Sequence, residues 1–243
     1  SYGATRGILI KGGEHLENLQ KVNTIVFDKT GTITTGKPQV QQLIVSQGHD
    51  QDKIKDILVN IERSSNHPLA RAIVSHFDDV SYRDIPTKEI PGQGMQATVD
   101  GHDYRIGRFS ADDNASLVKL QQQYVEDGQT IVQIIQDEKL IGFVSLKDTI
   151  REKAQQVVTQ LNDRGFETVL LTGDQHHTAK AIASMVNVSR YEYDCLPTCK
   201  SEHIEKYKRE NRFVMMIGDG INDAPSLAIA NVGVAMGDAT DVS

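Results

Sequence analysis

Three short clusters in the chain combine carboxylates, small hydroxyls and glycine: Asp28-Lys29-Thr30, Thr172-Gly173-Asp174, and Gly218-Asp219-Gly220-Ile221-Asn222-Asp223. Carboxylate oxygens are hard ligands suited to Mg²⁺, and backbone N–H groups in glycine-rich turns cradle phosphate oxygens. A carboxylate held at such a place can also attack phosphorus as a nucleophile. An Asp-Gly pair after a strand is often no more than turn chemistry. Three such clusters ending three apolar runs make that bland reading a poor one.

Those runs are the elements that must position the clusters. Residues 22–27, 167–171 and 213–217 are short, continuous and apolar, as buried parallel strands are, and 232–236 reads as one more. Helical periodicity over 151–164, 177–186 and 201–210 places helices between them, so alternating βαβ units imply a parallel sheet covered on both faces. Ligands of such sheets bind beyond the carboxyl ends of the strands, where the three clusters converge. The middle of the chain has another texture. Strands are expected over 40–45, 95–99, 103–106, 130–135 and 140–145, with a tight turn at Asp100-Gly101, and helices over 52–63, 68–77 and 116–127. An amphipathic segment runs from Gly7 to Leu19. The economical reading is an α/β fold: a Rossmann-like parallel-sheet domain, residues 1–37 and 147–243, interrupted by an antiparallel α+β domain, residues 38–146.

Asp28-Lys29-Thr30-Gly31-Thr32-Ile33-Thr34 resembles the phosphorylation motif of P-type ATPases, members of the haloacid-dehalogenase-like superfamily, with Ile33 where Leu is usual. Thr172-Gly173-Asp174 and the stretch from Gly218 to Pro225 resemble two further motifs of that family. The resemblance covers essentially the whole chain. It implies that Asp28 takes the γ-phosphoryl group of ATP, that Mg²⁺ is held by Asp28, the Thr30 carbonyl and Asp219, and that Thr172 hydrogen-bonds the transferring group. Lys29, Gly173 and Asp174 belong to the same catalytic set. Lys200, ahead of the helix from Ser201, would neutralise the phosphoryl group. Its context departs from the usual one, since Cys199 stands where an acidic residue is common. Asp223 would support the Mg²⁺ site from behind, and Asp148 with Arg151 matches a family pair at the domain junction. Phosphatases of the superfamily carry a second aspartate two residues after the nucleophile, where Thr30 stands here. Threonine cannot act as that general acid and base, so a phosphoenzyme would persist.

The insertion supplies the subclass. Ser64-Ser65-Asn66-His67-Pro68-Leu69 resembles the His-Pro motif of heavy-metal-transporting P-type ATPases, and Pro68 suits the first turn of a helix with His67 at its N-terminus. Glu62, Gly92, Gly94 and Gly107 stand at the family's other nucleotide positions, which implies an adenine site with His67. A Rossmann fingerprint is not indicated at Gly92-x-Gly94, because the residues that follow alternate into a hairpin. Ile10-Lys11-Gly12-Gly13 resembles both zinc/cadmium and copper members.

Other features carry a structural reading. Cys195 and Cys199 lack the further ligands of a tetrahedral metal set. His176-His177 opens a helix, and the charged run 206–210 is a wet helical face. No P-loop motif occurs. The 26 Lys and Arg against 33 Asp and Glu give a net charge of −7, contrary to a general nucleic-acid or anionic-membrane binder. No apolar run reaches the roughly 18–20 residues of a membrane span, no export leader is evident, and two cysteines suit a reducing compartment.

The chain is thus expected to be the ATP-binding, Mg²⁺-dependent, autophosphorylating cytosolic loop of a bacterial plasma-membrane pump for zinc, cadmium, cobalt or copper. Its partners would be ATP, an actuator domain and the transmembrane helices of the same full-length protein, which bind the transported ion. The rivals are a soluble aspartate-nucleophile phosphatase, disfavoured by Thr30 and the His-Pro insertion, and a nucleotide-sensing module without turnover, disfavoured by Asp28, Thr172 and Asp219.

Overall fold

A computed structural model describes residues 17–220 and 223–236. The expected amphipathic segment up to residue 16, the Ile10-Lys11-Gly12-Gly13 stretch, and Ile221 and Asn222 lie outside them. The chain divides into two compact units, residues 1–36 with 150–243 and residues 37–149.

The first unit is built on a five-stranded sheet, all parallel. Its strands are β1 (Thr24–Asp28), β8 (Glu167–Leu171), β9 (Arg190–Glu192), β10 (Val214–Gly218) and β11 (Val232–Ala235), in the order β11-β10-β1-β8-β9. The helices α4 (Ala154–Asp163), α5 (His176–Val186), α6 (Pro197–Arg209) and α7 (Ala224–Ile229) alternate with the strands. Because β1 is buried on both faces, every residue of it is apolar or satisfied. Ile25 and Phe27 point into a core shared with Val158, Ile182 and Val186. Val26 points the other way, into a core with Ile204, Tyr207 and Met216. The central strand has β8 on one side and β10 on the other, and the order reverses there, so Asp28 ends β1 at the switch point of the sheet.

The second unit is a six-stranded antiparallel sheet of order β2-β7-β6-β5-β4-β3. The strands are β2 (Gln39–Val45), β3 (Thr87–Ile90), β4 (Gly94–Val99), β5 (His102–Gly107), β6 (Thr130–Gln136) and β7 (Lys139–Lys147). α1 (Gln51–Glu62) and α2 (Pro68–His76) pack on one face, and α3 (Ala115–Glu126) packs on the other. In α1 the apolar residues Ile54, Ile57, Leu58 and Ile61 recur at helical spacing and are buried, while Asp50 caps the helix by accepting from the Asp52 and Lys53 N–H groups. Asp100 and Gly101, both at positive φ, make the tight turn between β4 and β5, and Asp137-Glu138 repeats the device between β6 and β7.

Several elements differ from the sequence reading. β3 and β9 were not expected; both are short edge strands, whose brief ladders leave no long alternating pattern. α4 starts at Ala154 rather than Arg151, because residues 151–154 form a tight turn first, in which the Ala154 N–H donates to the Arg151 carbonyl. α6 begins at Pro197, not Ser201, so Lys200 lies inside its first turn rather than ahead of it. Proline at the first helical position is a start signal, since its missing N–H would be unpaired there in any case.

Candidate active site

β1 delivers Asp28 in extended conformation to the start of a single π-helical turn, Lys29–Ile33. Gly31, at φ +78°, breaks that turn, and a Cβ there would stand 3.2 Å from Asp219 Cβ. Glycine thus lets the loop lie flat against the end of β10. Thr34, fully buried, locks the loop from inside: its N–H and its hydroxyl both donate to the Lys29 carbonyl, and its Oγ1 accepts from the Gly31 N–H.

Two charged groupings meet at the strand ends. Asp28 is 3% exposed, and its Oδ1 accepts from Lys200 Nζ at 2.6 Å. The same ammonium donates to Asp223 Oδ1 at 2.8 Å. Asp223 Oδ2 accepts in turn from the Asp219 N–H, so this carboxylate, 0% exposed, is consumed in orienting its neighbours. Gly218 makes room for it, since a Cβ would fall 2.6 Å from Asp223 Oδ2. In the second grouping Lys29 Nζ donates to Asp174 Oδ2 at 2.5 Å, and Thr172 Oγ1 donates to the same oxygen at 3.0 Å. The Thr172 hydroxyl was expected to serve a phosphoryl group; here its proton goes to Asp174, and its oxygen accepts from the Asp174 N–H. Because Asp28 pairs with Leu171 across β1 and β8, the two groupings are adjacent. Gly173 and Thr30 border them, half-buried.

The electrostatics favour a cation. Asp28, Asp174, Asp219 and Asp223 contribute four carboxylates against the ammonium groups of Lys29 and Lys200, a formal excess of two negative charges. Burial raises the Asp28 carboxyl to about 7 against the pull of Lys200, with Asp223 and Asp219 adding to the rise. Burial opposes the charge on Lys200, yet Asp28 and Asp223 outweigh it and hold the ammonium above its usual value. Thr32 Oγ1, buried in the same loop, has no hydrogen-bond partner among the described residues. An acidic excess equal to a divalent charge, half-buried Asp219 and an unpaired hydroxyl fit Mg²⁺ and a phosphate.

The second unit holds the other expected residues. Glu62 closes α1 at 5% exposure, and burial pushes its carboxyl up to about 7. His67 is the N-cap of α2: its Nδ1 accepts from the Leu69 N–H at 3.3 Å, which puts the ring proton of the neutral imidazole on Nε2. α1 packs against β4 and β5, and its Ile61 shares one core with Met95 and Ile106, the sequence neighbours of Gly94 and Gly107. Gly94 and Gly107 pair directly across that ladder. A Cβ on Gly94 would come 2.1 Å from the Ile106 carbonyl, and one on Gly107 2.1 Å from that of Gln93. These two glycines were expected to admit a nucleotide; the backbone opposite is itself reason enough for them. Gly92, at φ +74°, serves the β3–β4 turn.

Sequence reasoning missed the role of Thr34, although it closes the heptapeptide motif. Asp148 and Arg151 were expected to form an ion pair or to serve the linker at the domain junction. Asp148 accepts from the Lys37 N–H, while Arg151 donates to the Gly31 and Thr32 carbonyls. No group of three or more metal-ligating side chains stands ready-made among the described residues. No helix among them is long and apolar enough to cross a membrane.

The model of the haloacid dehalogenase-like hydrolase family matches residues 22–231. A zinc-transporting ATPase of Bacillus subtilis is 38% identical over 100% of this chain, and a copper-exporting P-type ATPase of Staphylococcus aureus is 39% identical over 99% of it. The chain spans 39% and 30% of those two proteins. Among solved structures, a zinc-transporting PIB-type ATPase matches with a TM-score of 0.63 and 34% identity, over 99% of this chain and 40% of that one. The catalytic domain of a CPx-ATPase matches with a TM-score of 0.69 and 28% identity, over 98% of this chain and 87% of that one. The chain belongs to the haloacid dehalogenase-like hydrolase family and is homologous, along its length, to zinc- and copper-transporting P-type ATPases.

Proposed function

We propose that this chain is the ATP-binding and autophosphorylating portion of a membrane pump for a cation of the zinc or copper class, with Asp28 as the residue phosphorylated. The single observation that carries the reading is Asp28 itself. It is a buried carboxylate at the switch point of a parallel sheet, with Oδ1 taken by Lys200 and Oδ2 left to attack. In-line attack by Oδ2 forms the Asp28–phosphorus bond as the bond from the γ-phosphorus to the bridging oxygen breaks, and ADP leaves with that oxygen's electron pair. Lys200 stands beside the incoming phosphoryl group and offsets its charge. Asp28, the Thr30 carbonyl and Asp219 would hold Mg²⁺, which when bound neutralises charge between the carboxylates and the phosphate.

Division of labour follows the two units, with phosphorylation in the parallel-sheet unit and adenine recognition by Glu62, His67, Gly92, Gly94 and Gly107 in the other. Thr30 supports persistence of the phosphoenzyme, because no carboxylate stands where a phosphatase keeps its general base. Dephosphorylation then falls to an actuator domain, and ion binding to transmembrane helices, both in the remainder of a bacterial plasma-membrane protein. The test is labelling with γ-³²P-ATP and Mg²⁺, quenched in acid. Label that survives acid, is released by hydroxylamine and is lost in Asp28→Asn is the expected result. Label that persists in Asp28→Asn, or none at all with intact ATP binding, would overturn the assignment.

A further inference from the structure

The loop that follows Asp28 presents a row of main-chain carbonyls, and one residue more than a hundred positions later, Arg151, takes three of the five between Lys29 and Ile33. Arg151 Nε donates to the Thr32 carbonyl at 3.1 Å and Nη2 to the Gly31 carbonyl at 3.2 Å. Its own N–H donates to the Ile33 carbonyl at 2.9 Å. Ile150, next to it, is bridged to Thr34, whose N–H and hydroxyl hold the Lys29 carbonyl. Within 29–33 these bonds engage every carbonyl but that of Thr30. On the opposite side Gly31 lies against Asp219, with room for little more than a hydrogen. A planar guanidinium presents its donors in a fixed fork, so two successive carbonyls are fixed in direction as well as distance.

We infer that Arg151 is a positioning residue for the cation site. By engaging the Gly31, Thr32 and Ile33 carbonyls it leaves that of Thr30 to the cation and sets its separation from Asp219. The residue touches neither nucleotide nor phosphate. The inference rests on the proposed assignment of Thr30 and Asp219 as metal ligands. Lysine at 151 keeps the charge but, as a single point donor, cannot span both carbonyls. Alanine leaves both without their donor.

The test uses the full chain and Mn²⁺ in place of Mg²⁺, with unbound Mn²⁺ read by electron paramagnetic resonance. Loss of an outer partner of a metal ligand typically weakens metal affinity about 10–100-fold. Arg151→Ala is expected to raise the Mn²⁺ Kd about tenfold, with partial recovery in low-millimolar guanidinium, and Arg151→Lys is expected to raise it severalfold. ATP affinity measured in EDTA should stay at the wild-type value in both variants. A variant that keeps wild-type Mn²⁺ affinity overturns the inference and leaves the phosphorylation reading standing. Should Arg151→Ala not fold, Arg151→Lys decides by the same criterion. A wild-type chain that binds no Mn²⁺ overturns the metal assignment and this inference together.

Discussion

Glu62 offers a test that needs no turnover. The residue is 5% exposed, with no hydrogen-bonding partner for the side chain among the described residues, and burial raises its carboxyl from 4.5 to about 7. A raised carboxyl means that the unfolded chain loses its proton first as pH rises. Stability conferred by the neutral acid is complete below pH 4.5, falls between about 4.5 and 7, and is gone above that. A rise of about 2.5 pKa units at 1.36 kcal/mol each corresponds to about 3 kcal/mol in all, of which somewhat less than 1 is already lost by pH 5. Glu62→Gln keeps the shape and never ionises, so it should gain about 2–3 kcal/mol on the wild type between pH 5 and pH 8. Urea unfolding at the two pH values gives the number. Hydrogen-exchange mass spectrometry of the peptide spanning 54–61, in the core of α1, assigns the transition to the second unit. A stability difference that is the same at both pH values would show that the carboxylate is not penalised by burial, and the reasoning would fail.

Three other outcomes follow from the geometry. Asp28→Asn should abolish the phosphoenzyme yet leave ATP affinity, measured calorimetrically, equal or tighter, because one carboxylate facing the phosphate is gone; loss of binding would count against the division between the two units. Lys200→Met leaves the Asp28 and Asp223 carboxylates buried without their shared cation and should cost about 3–5 kcal/mol in denaturant unfolding, with part recovered by adding Asp223→Asn; a cost under about 1 kcal/mol would argue against the paired arrangement. Gly94→Ala and Gly107→Ala should each destabilise the second unit by more than about 1 kcal/mol, since the added methyl meets a carbonyl of the opposing strand. Wild-type melting temperatures would refute the backbone-crowding account and leave those glycines the nucleotide-facing role alone.

Much of this was legible in the sequence for a physical reason: strands buried on both faces, such as Thr24–Asp28, and helices with Ile or Leu at helical spacing, such as Gln51–Glu62, carry their environment in their composition. The convergence of Asp28, Thr172 and Asp219 at strand ends follows from parallel topology alone. What could not be read is pairing at long range. Nothing local says that Lys29 turns to Asp174, or that Lys200 bridges Asp28 and Asp223, because those contacts span 145, 172 and 23 residues. The early start of α6 was legible in principle, with Pro197 as its signal. Gly94 and Gly107 show the opposite difficulty, in that a family position for nucleotide and a strand-crossing constraint ask for the same residue.

The bridge between Thr34 and Ile150 has a bearing on modularity. It brings the place where the chain leaves the parallel-sheet unit beside the place where it returns, more than a hundred residues later. A long excursion whose ends are already fastened together adds little closure entropy to its host, since that cost grows only with the logarithm of length. The junction is therefore a docking port for inserts. Residues 37–149 could be exchanged for a few glycines, or for another domain with neighbouring termini, and the sheet carrying Asp28 would still close.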